Sequence, residues 1–292
     1  MISCSARSIG PAASLALSGA ARLRVHSVFR SALNLEAEGS GRLVSLRGPA
    51  GGGLPHEVVL ERAEDFGRWR AATGACAWLG EGAIRLAAGR TAVVVELRHA
   101  ERIPRRALPA IARPRAAGAC AAALAELQEA LGCELRIASL RREGRVITAM
   151  GARLRDAALA VGAAFQGPAA PLREAVAALV GLGPGLTPSG DDFLCGLLAA
   201  ARASAPGLLP VLEVAAVASL GRTGSISAFL LRCAIEGFWP TPLVDLAEAL
   251  AADREPEALG ALRALCRLGH GSGPDLATGF LFGLERLGLG GR

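Results

Sequence analysis

The stretch from Leu172 to Ala203 reads LREAVAALVGLGPGLTPSGDDFLCGLLAAARA, two apolar runs joined by a loop dense in glycine and proline. It marks where the character of the chain changes. From Leu172 to the end helical periodicity dominates, predicting helices near Leu172–Val180, Ser189–Ala203, Leu208–Leu220, Ser225–Glu236, Leu243–Ala252, Pro256–Arg267 and Pro274–Leu287. Upstream, short β-favouring runs are separated by turn signals: Arg24–Phe29, Leu43–Leu46, Glu57–Leu60, Ala83–Leu86 and Thr91–Leu97. Pro49–Pro55 reads as a loop and Ala88-Gly89-Arg90 as a hairpin turn. A polar linker around Glu101–Pro114 leads to a helix at Ala117–Gly132, with Leu124, Leu127 and Leu131 at helical spacing, and two further strands are expected at Glu134–Ala138 and Arg145–Ala149. No internal repeat stands out. The expected fold is α+β: an antiparallel β-rich domain over residues 1–150, then an all-helical domain over residues 151–292 that carries the glycine-rich loop.

Composition narrows the function classes. At 292 residues and 52% hydrophobic content the chain can bury two ordinary cores. The net charge of +6 would suit a polyanion, yet all 32 basic residues are arginine and they are scattered between apolar stretches. Nucleic acid is therefore not an expected partner. The seven cysteines (Cys4, Cys76, Cys120, Cys133, Cys195, Cys233, Cys266) form no CxxC pair and no Cys/His cluster, and read as small buried hydrophobes in a reducing, cytoplasmic setting. The N-terminal apolar stretch is interrupted by Ser14, Ser18 and Gly19, so no signal peptide is expected. No long uncharged apolar run predicts a membrane span either.

The segment Gly181–Asp192 (GLGPGLTPSGDD) is the strongest candidate site. Glycines let a backbone approach a ligand closely and adopt positive φ, and the helix behind the loop offers N–H groups and the positive end of its dipole. Gly183, Gly185, Thr187, Ser189 and Gly190 are the expected anion-binding positions. Gly185 and Gly190 have P-loop spacing, but Asp191 and Asp192 stand where Lys and Ser/Thr belong, so a nucleoside triphosphate is excluded. The competing reading is a capping box between Ser189 and Asp192. Two adjacent aspartates would oppose an anion by about 4 kcal/mol at 4 Å and an effective dielectric of 20. A bound anion here then needs Mg²⁺, with Asp191, Asp192 and Asp275 as ligands, or a nearby Arg; no other cofactor is expected.

Three further segments contribute. In Gly221–Ser227 (GRTGSIS) the hydroxyls of Thr223, Ser225 and Ser227 suit capping or an anion. In Gly269–Asp275 (GHGSGPD), His270 and Ser272 read either as helix-end groups or as site residues, with His270 and Asp191 the candidate general acid/base pair and Asp275 an orienter. In Val25–Leu35 (VHSVFRSALNL), an extended strand would place His26 and Arg30 on one face, with Asn34 nearby. In an up-and-down bundle the helix starts at Ser189 and Ser225 lie at one end and the start at Pro274 at the other; they converge only if the Pro240/Pro242 break reorients the chain.

Taken together, VHSVFRSALNL, GLGPGLTPSGDD, TGSIS and GHGSGPD resemble the AllH family, the small subunit of oxamate carbamoyltransferase in allantoin and purine degradation. The resemblance implies partner subunits and the reaction oxalurate + phosphate ⇌ oxamate + carbamoyl phosphate, whose small anions need N–H donors and Arg. Two other readings stay open. One is a stand-alone hydrolase holding Mg²⁺ or Mn²⁺ on Asp191, Asp192, His270 and Asp275; the other is a non-catalytic helical scaffold.

Overall fold

A computed structural model describes residues 1–62, 65–89, 91–112, 114–141, 146, 148–165 and 167–288. The chain divides into two compact units, Met1–Arg106 and Ala107–Arg292. The boundary falls well before residue 150, because Ile111, Cys120, Leu124, Leu135, Ile137 and Leu140 are buried in the core of the second unit.

The first unit has strands β1 (Ile2–Ile9), β2 (Arg22–Val28), β3 (Ala32–Ala37), β4 (Arg42–Arg47), β5 (Glu57–Leu60), β6 (Cys76–Gly80), β7 (Ala83–Ala88), β8 (Thr91–Glu96) and the short β9 (Glu101–Arg102), with helix α1 (Pro11–Ser18) after β1. Eight strands close into a barrel in the order β5-β4-β3-β2-β6-β7-β8-β1, with β1 returning to β5 and β9 added alongside β1. The antiparallel expectation is corrected: the barrel is mixed. β1 runs parallel to β8, and β5 runs parallel to β4. The cause lies in two connections. β1 changes partner along its length, pairing Ile2–Ser5 with β8 and Ala6–Ile9 with β5, the second pairing broken by an irregularity at Ala6/Ser8. The PAGGGLP loop carries the chain back so that β5 re-enters in the direction of β4; buried Glu57 fastens that loop by accepting N–H groups of Gly52 and Leu54. Closure leaves the ring without open edges, around a core that includes Leu23, Leu33, Leu35, Leu46, Phe66, Trp69 and Ile84. Gly89, at φ +59, begins the hairpin turn between β7 and β8; Arg90 lies outside the described residues.

The second unit contains α2 (Ala117–Leu131), α3 (Ile137–Leu140), α4 (Ala149–Ala164), α5 (Ala169–Leu179), α6 (Ser189–Ser204), α7 (Leu209–Ser219), α8 (Ser225–Ile235), α9 (Thr241–Ala251), α10 (Glu255–Cys266) and α11 (Ser272–Gly288). The strand expected at Glu134–Ala138 is absent. Buried Gln128 takes over that segment, donating to Leu135 O at 3.0 Å and accepting from Ile137 N at 2.9 Å, while its amide also reaches Thr278 of α11 at 2.7 Å. The other expected strand, Arg145–Ala149, falls largely on residues outside those described, and its last residue starts α4.

Helices α6 and α11 form the centre, and α6 is buried along most of its length. A Cβ on Gly196 would lie 2.0 Å from Leu276 O, and one on Gly279 would lie 1.9 Å from Phe193 O. Farther along, a Cβ on Gly283 would meet Ala200 Cβ at 2.5 Å. Residue numbers rise together on both helices, so they are parallel, with backbones closer than any side chain allows. The contacts are also reciprocal. Both helices begin with the same string, S-G-x-D-x-x-x-G, at residues 189–196 and 272–279. A repeat is therefore present where none was expected: α5–α6 and α10–α11 are equivalent hairpins, with Gly190 lodged against Leu179 O and Gly273 against Leu265 O, each at 2.1 Å from a built Cβ.

Candidate functional site

Parallel packing puts the starts of α6 and α11 at one place, and a hydrogen bond of 2.8 Å between Thr187 Oγ1 and Ser272 Oγ closes the gap between them. The start of α8 joins through Asp191. Its Oδ1 accepts from Gly181 N at 2.8 Å, and its Oδ2 accepts from Thr223 Oγ1 at 2.5 Å and Ser227 Oγ at 2.7 Å. The alternation of an up-and-down bundle is thus broken between α8 and α11, the interval that contains Pro240 and Pro242. Three helix N-termini, each a source of partial positive charge, meet at one site.

The capping box between Ser189 and Asp192, the competing reading of this segment, does not form. Pro188 occupies the cap position with no side-chain cap bond. The serines instead bond across the repeat: Ser272 of α11, itself hydrogen-bonded to Thr187, donates to Asp192 of α6, and Ser189 of α6 donates to Asp275 of α11. Both aspartates are 4% exposed, and each keeps an unpartnered buried oxygen, Oδ2 of Asp192 and Oδ1 of Asp275. An unmet buried acceptor costs about 1–3 kcal/mol. Burial pushes the Asp275 carboxyl up to about 7, opposed by the Ser189 bond and aided by the charge of Glu134. Asp192 is driven well above the ordinary range by burial, then by the neighbouring charges of Asp275 and Asp191, against the lowering influence of the Ser272 and Thr187 hydroxyls.

The loop glycines divide into two kinds. Gly181 at φ +77 and Gly183 at φ +125 are spatially constrained, since a Cβ would meet Arg222 O at 2.4 Å and Ser189 N at 2.7 Å, respectively. With Gly190 they serve packing. Gly185 at φ +92 faces open space with nothing within 4 Å of a built Cβ, and it is exposed. Of the four glycines between Gly181 and Gly190, it alone has the room a ligand needs.

Other expected positions fall as follows. Ser225 is exposed at the start of α8, and His270 is exposed in the turn before α11, whereas the bond partner found for Asp275 is Ser189. His26, Arg30 and Asn34 belong to the barrel unit. The strand does not run on: β2 and β3 form a hairpin, so Asn34 faces Ser27 across the ladder and donates to its Oγ at 3.0 Å, while His26 Nδ1 pairs with the same hydroxyl at 3.1 Å. Arg30 is exposed at the turn, where its carbonyl accepts from Phe66 N. Among the described residues, no group of three or more His, Cys, Asp or Glu side chains is disposed to hold a metal ion, and Asp191 has both oxygens committed to three donors. None of the seven cysteines is in a disulfide, and burial raises the Cys195 and Cys266 thiols, the latter to about 12.

Two residues escaped the sequence reading. Arg222 precedes α8 with its carbonyl against Gly181 and its side chain exposed. Glu134 bonds to Thr148 and lines a cavity of about 210 Å³ with Cys133, Arg136, Ser139, Val146 and others, yet its charge reaches Asp275. The repeated SGxD string was a legible signal for the crossed serine–aspartate bonds; nothing local announced Arg222 or Glu134.

Fold and site define a two-unit α+β protein: a closed mixed barrel, and a helical bundle whose central repeat gathers three helix starts around buried acids. Residues 5–102 match the AllH family N-terminal domain, and residues 179–284 match the family described as oxamate carbamoyltransferase subunit AllH. The chain belongs to the AllH family. No solved structure matches it. Among the described residues no helix is long and apolar enough to cross a membrane.

Proposed function

We propose that this chain is a cytoplasmic subunit of a carbamoyltransferase-type complex that acts on small anions, oxalurate or oxamate and carbamoyl phosphate, in purine and allantoin nitrogen catabolism. The observation that carries this reading is the convergence of the α6, α8 and α11 starts beside Gly185. Their N–H dipoles favour an anion, and the open glycine lets it approach. Arg222 supplies a guanidinium at the rim, the counter-charge that the aspartates demand. Asp191 braces the three helices in this role rather than moving protons. Charge developing on oxygen as the carbamoyl carbon is attacked is stabilised by the same fixed N–H groups.

The family description supports a subunit, and the test follows from that. Tagged chain is recovered from its native host, and the assembly is assayed for carbamoyl phosphate from oxalurate and phosphate. Larger partner chains and that activity are expected. Recovery of the chain alone, or of an assembly lacking the activity, would overturn the proposal.

A further inference from the structure

The loop and the helix dipoles account for the anionic end of a ligand and leave Asp192 and Asp275 unexplained. These two acids stand at equivalent positions of a repeat, at the starts of two parallel helices. Both are more than nine-tenths buried, and each retains an oxygen with no partner. The nearby hydroxyls are already in use, Thr187 with Ser272, Ser272 with Asp192, and Ser189 with Asp275. The two orphan oxygens therefore lack a donor from these neighbours.

We infer that Asp192 and Asp275 form a carboxamide-reading pair, which binds the –CO–NH₂ end of a small ligand whose carboxylate lies against the Gly185 loop. A carboxamide carries one acceptor and two donors on a flat group. The two unpartnered carboxyl oxygens, Asp192 Oδ2 and Asp275 Oδ1, offer the complement to the donors, each accepting one N–H of the amide. A second carboxylate in place of the amide would set further acceptors against these acceptor oxygens with no donor between them, and be refused. The pair thus sets which end of an oxamate-like molecule enters first. Around the two acids, Pro184, Gly185 and Leu186 of the loop are exposed, and Thr187, Ser189 and Ser272 are half-buried.

This inference rests on the small-anion reading of the same site, and a matched pair of probes separates the two. Oxamate and oxalate share a two-carbon skeleton and differ in –NH₂ against –O⁻. Binding of each to the full chain is measured by calorimetry near pH 7. Oxamate is expected to bind at least about tenfold more tightly, since a site built to pair an N–H rejects the analogue without it. Asp275→Asn and Asp192→Asn, which keep size and lose charge, are each expected to shrink that preference to about threefold or less. Equal binding of the two probes by the unaltered chain would overturn the carboxamide pair and leave the small-anion site standing. Binding of neither would overturn both. A preference for oxamate that survives in both variants would show that other groups read the amide, which also overturns the pair.

Discussion

Helices α6 and α11 open with the same frame but differ at its third position, Asp191 in one and Pro274 in the other. The shared residues do the same work twice. Ser189 and Ser272 reach across to the opposite aspartate, and Gly196 and Gly279 let the two backbones touch. The unshared residue breaks the symmetry. Asp191 fastens α8 through Thr223 and Ser227, whereas Pro274 offers no side-chain acceptor and its carbonyl takes a bond from Thr278 of its own helix. The loops differ likewise: the longer one ahead of α6 carries the open Gly185, and the shorter one ahead of α11 carries exposed His270. Repetition builds the helix contact, and departure from repetition builds a one-sided site.

The shared positions should be the costliest to change. Gly196→Ala or Gly279→Ala forces a methyl into a carbonyl of the facing helix, and each is expected to lose about 3 kcal/mol or more in chemical denaturation. A loss below about 1 kcal/mol would mean the helices are not in backbone contact. The unshared position comes next. Asp191→Ala leaves three donors without their acceptor and is expected to cost about 2–4 kcal/mol. Pro274→Ala, at the equivalent place, should change stability by less than about 1 kcal/mol, and equal effects at the two positions would erase the asymmetry.

A pH series probes the paired acids. The folded Asp275 carboxyl, raised to about 7, stays protonated where the unfolded chain has already ionised. The unfolded state then binds fewer protons, so stability falls as pH rises from the ordinary carboxylate range to about 7 and levels off above it. Asp275→Asn removes this contribution, and its melting should gain on the parent over that window by several kcal/mol. Parallel curves would show that the acid is not held neutral. The smallest effect on stability is expected at Gly185. Gly185→Ala costs about 1 kcal/mol for its positive φ and meets no neighbour, yet oxamate binding should weaken severalfold. Unchanged binding would remove the loop from the site.

Much of this arrangement was legible in the residues, within limits that have physical causes. Helices beginning at Ser189 and Ser225 were readable because capping residues and apolar period agree there, and β4, β5, β7 and β8 because β-branched and aliphatic runs end in turn signals. β1, β3 and β6 were missed, and the mixed barrel with them, since its closure depends on β1 pairing with β5 and β8, contacts far apart in sequence. α4 escaped because Gly151, Gly162 and three charged residues dilute its apolar stripe. Gly181–Asp192 was readable as a glycine-rich loop ahead of a helix, but its glycines looked alike; only their neighbours in space separate packing at Gly181, Gly183 and Gly190 from openness at Gly185. Serine followed three residues later by aspartate is the signature of a local cap, and a second copy of the motif across a parallel contact redirected both bonds.

The account turns on that parallel contact, and one cross-link tests it. Thr187 and Ser272 place their hydroxyl oxygens 2.8 Å apart, so the double variant Thr187→Cys, Ser272→Cys should form a disulfide under mild oxidation, identified by mass spectrometry of peptides joined at those two positions. In an up-and-down bundle the two helix starts would be about 24 Å apart, the length of a sixteen-residue helix, and no such bridge could form. Stoichiometric linkage between positions 187 and 272 is the predicted result. Its absence, with both thiols accessible to alkylation in the folded protein, would contradict the convergence on which the site depends.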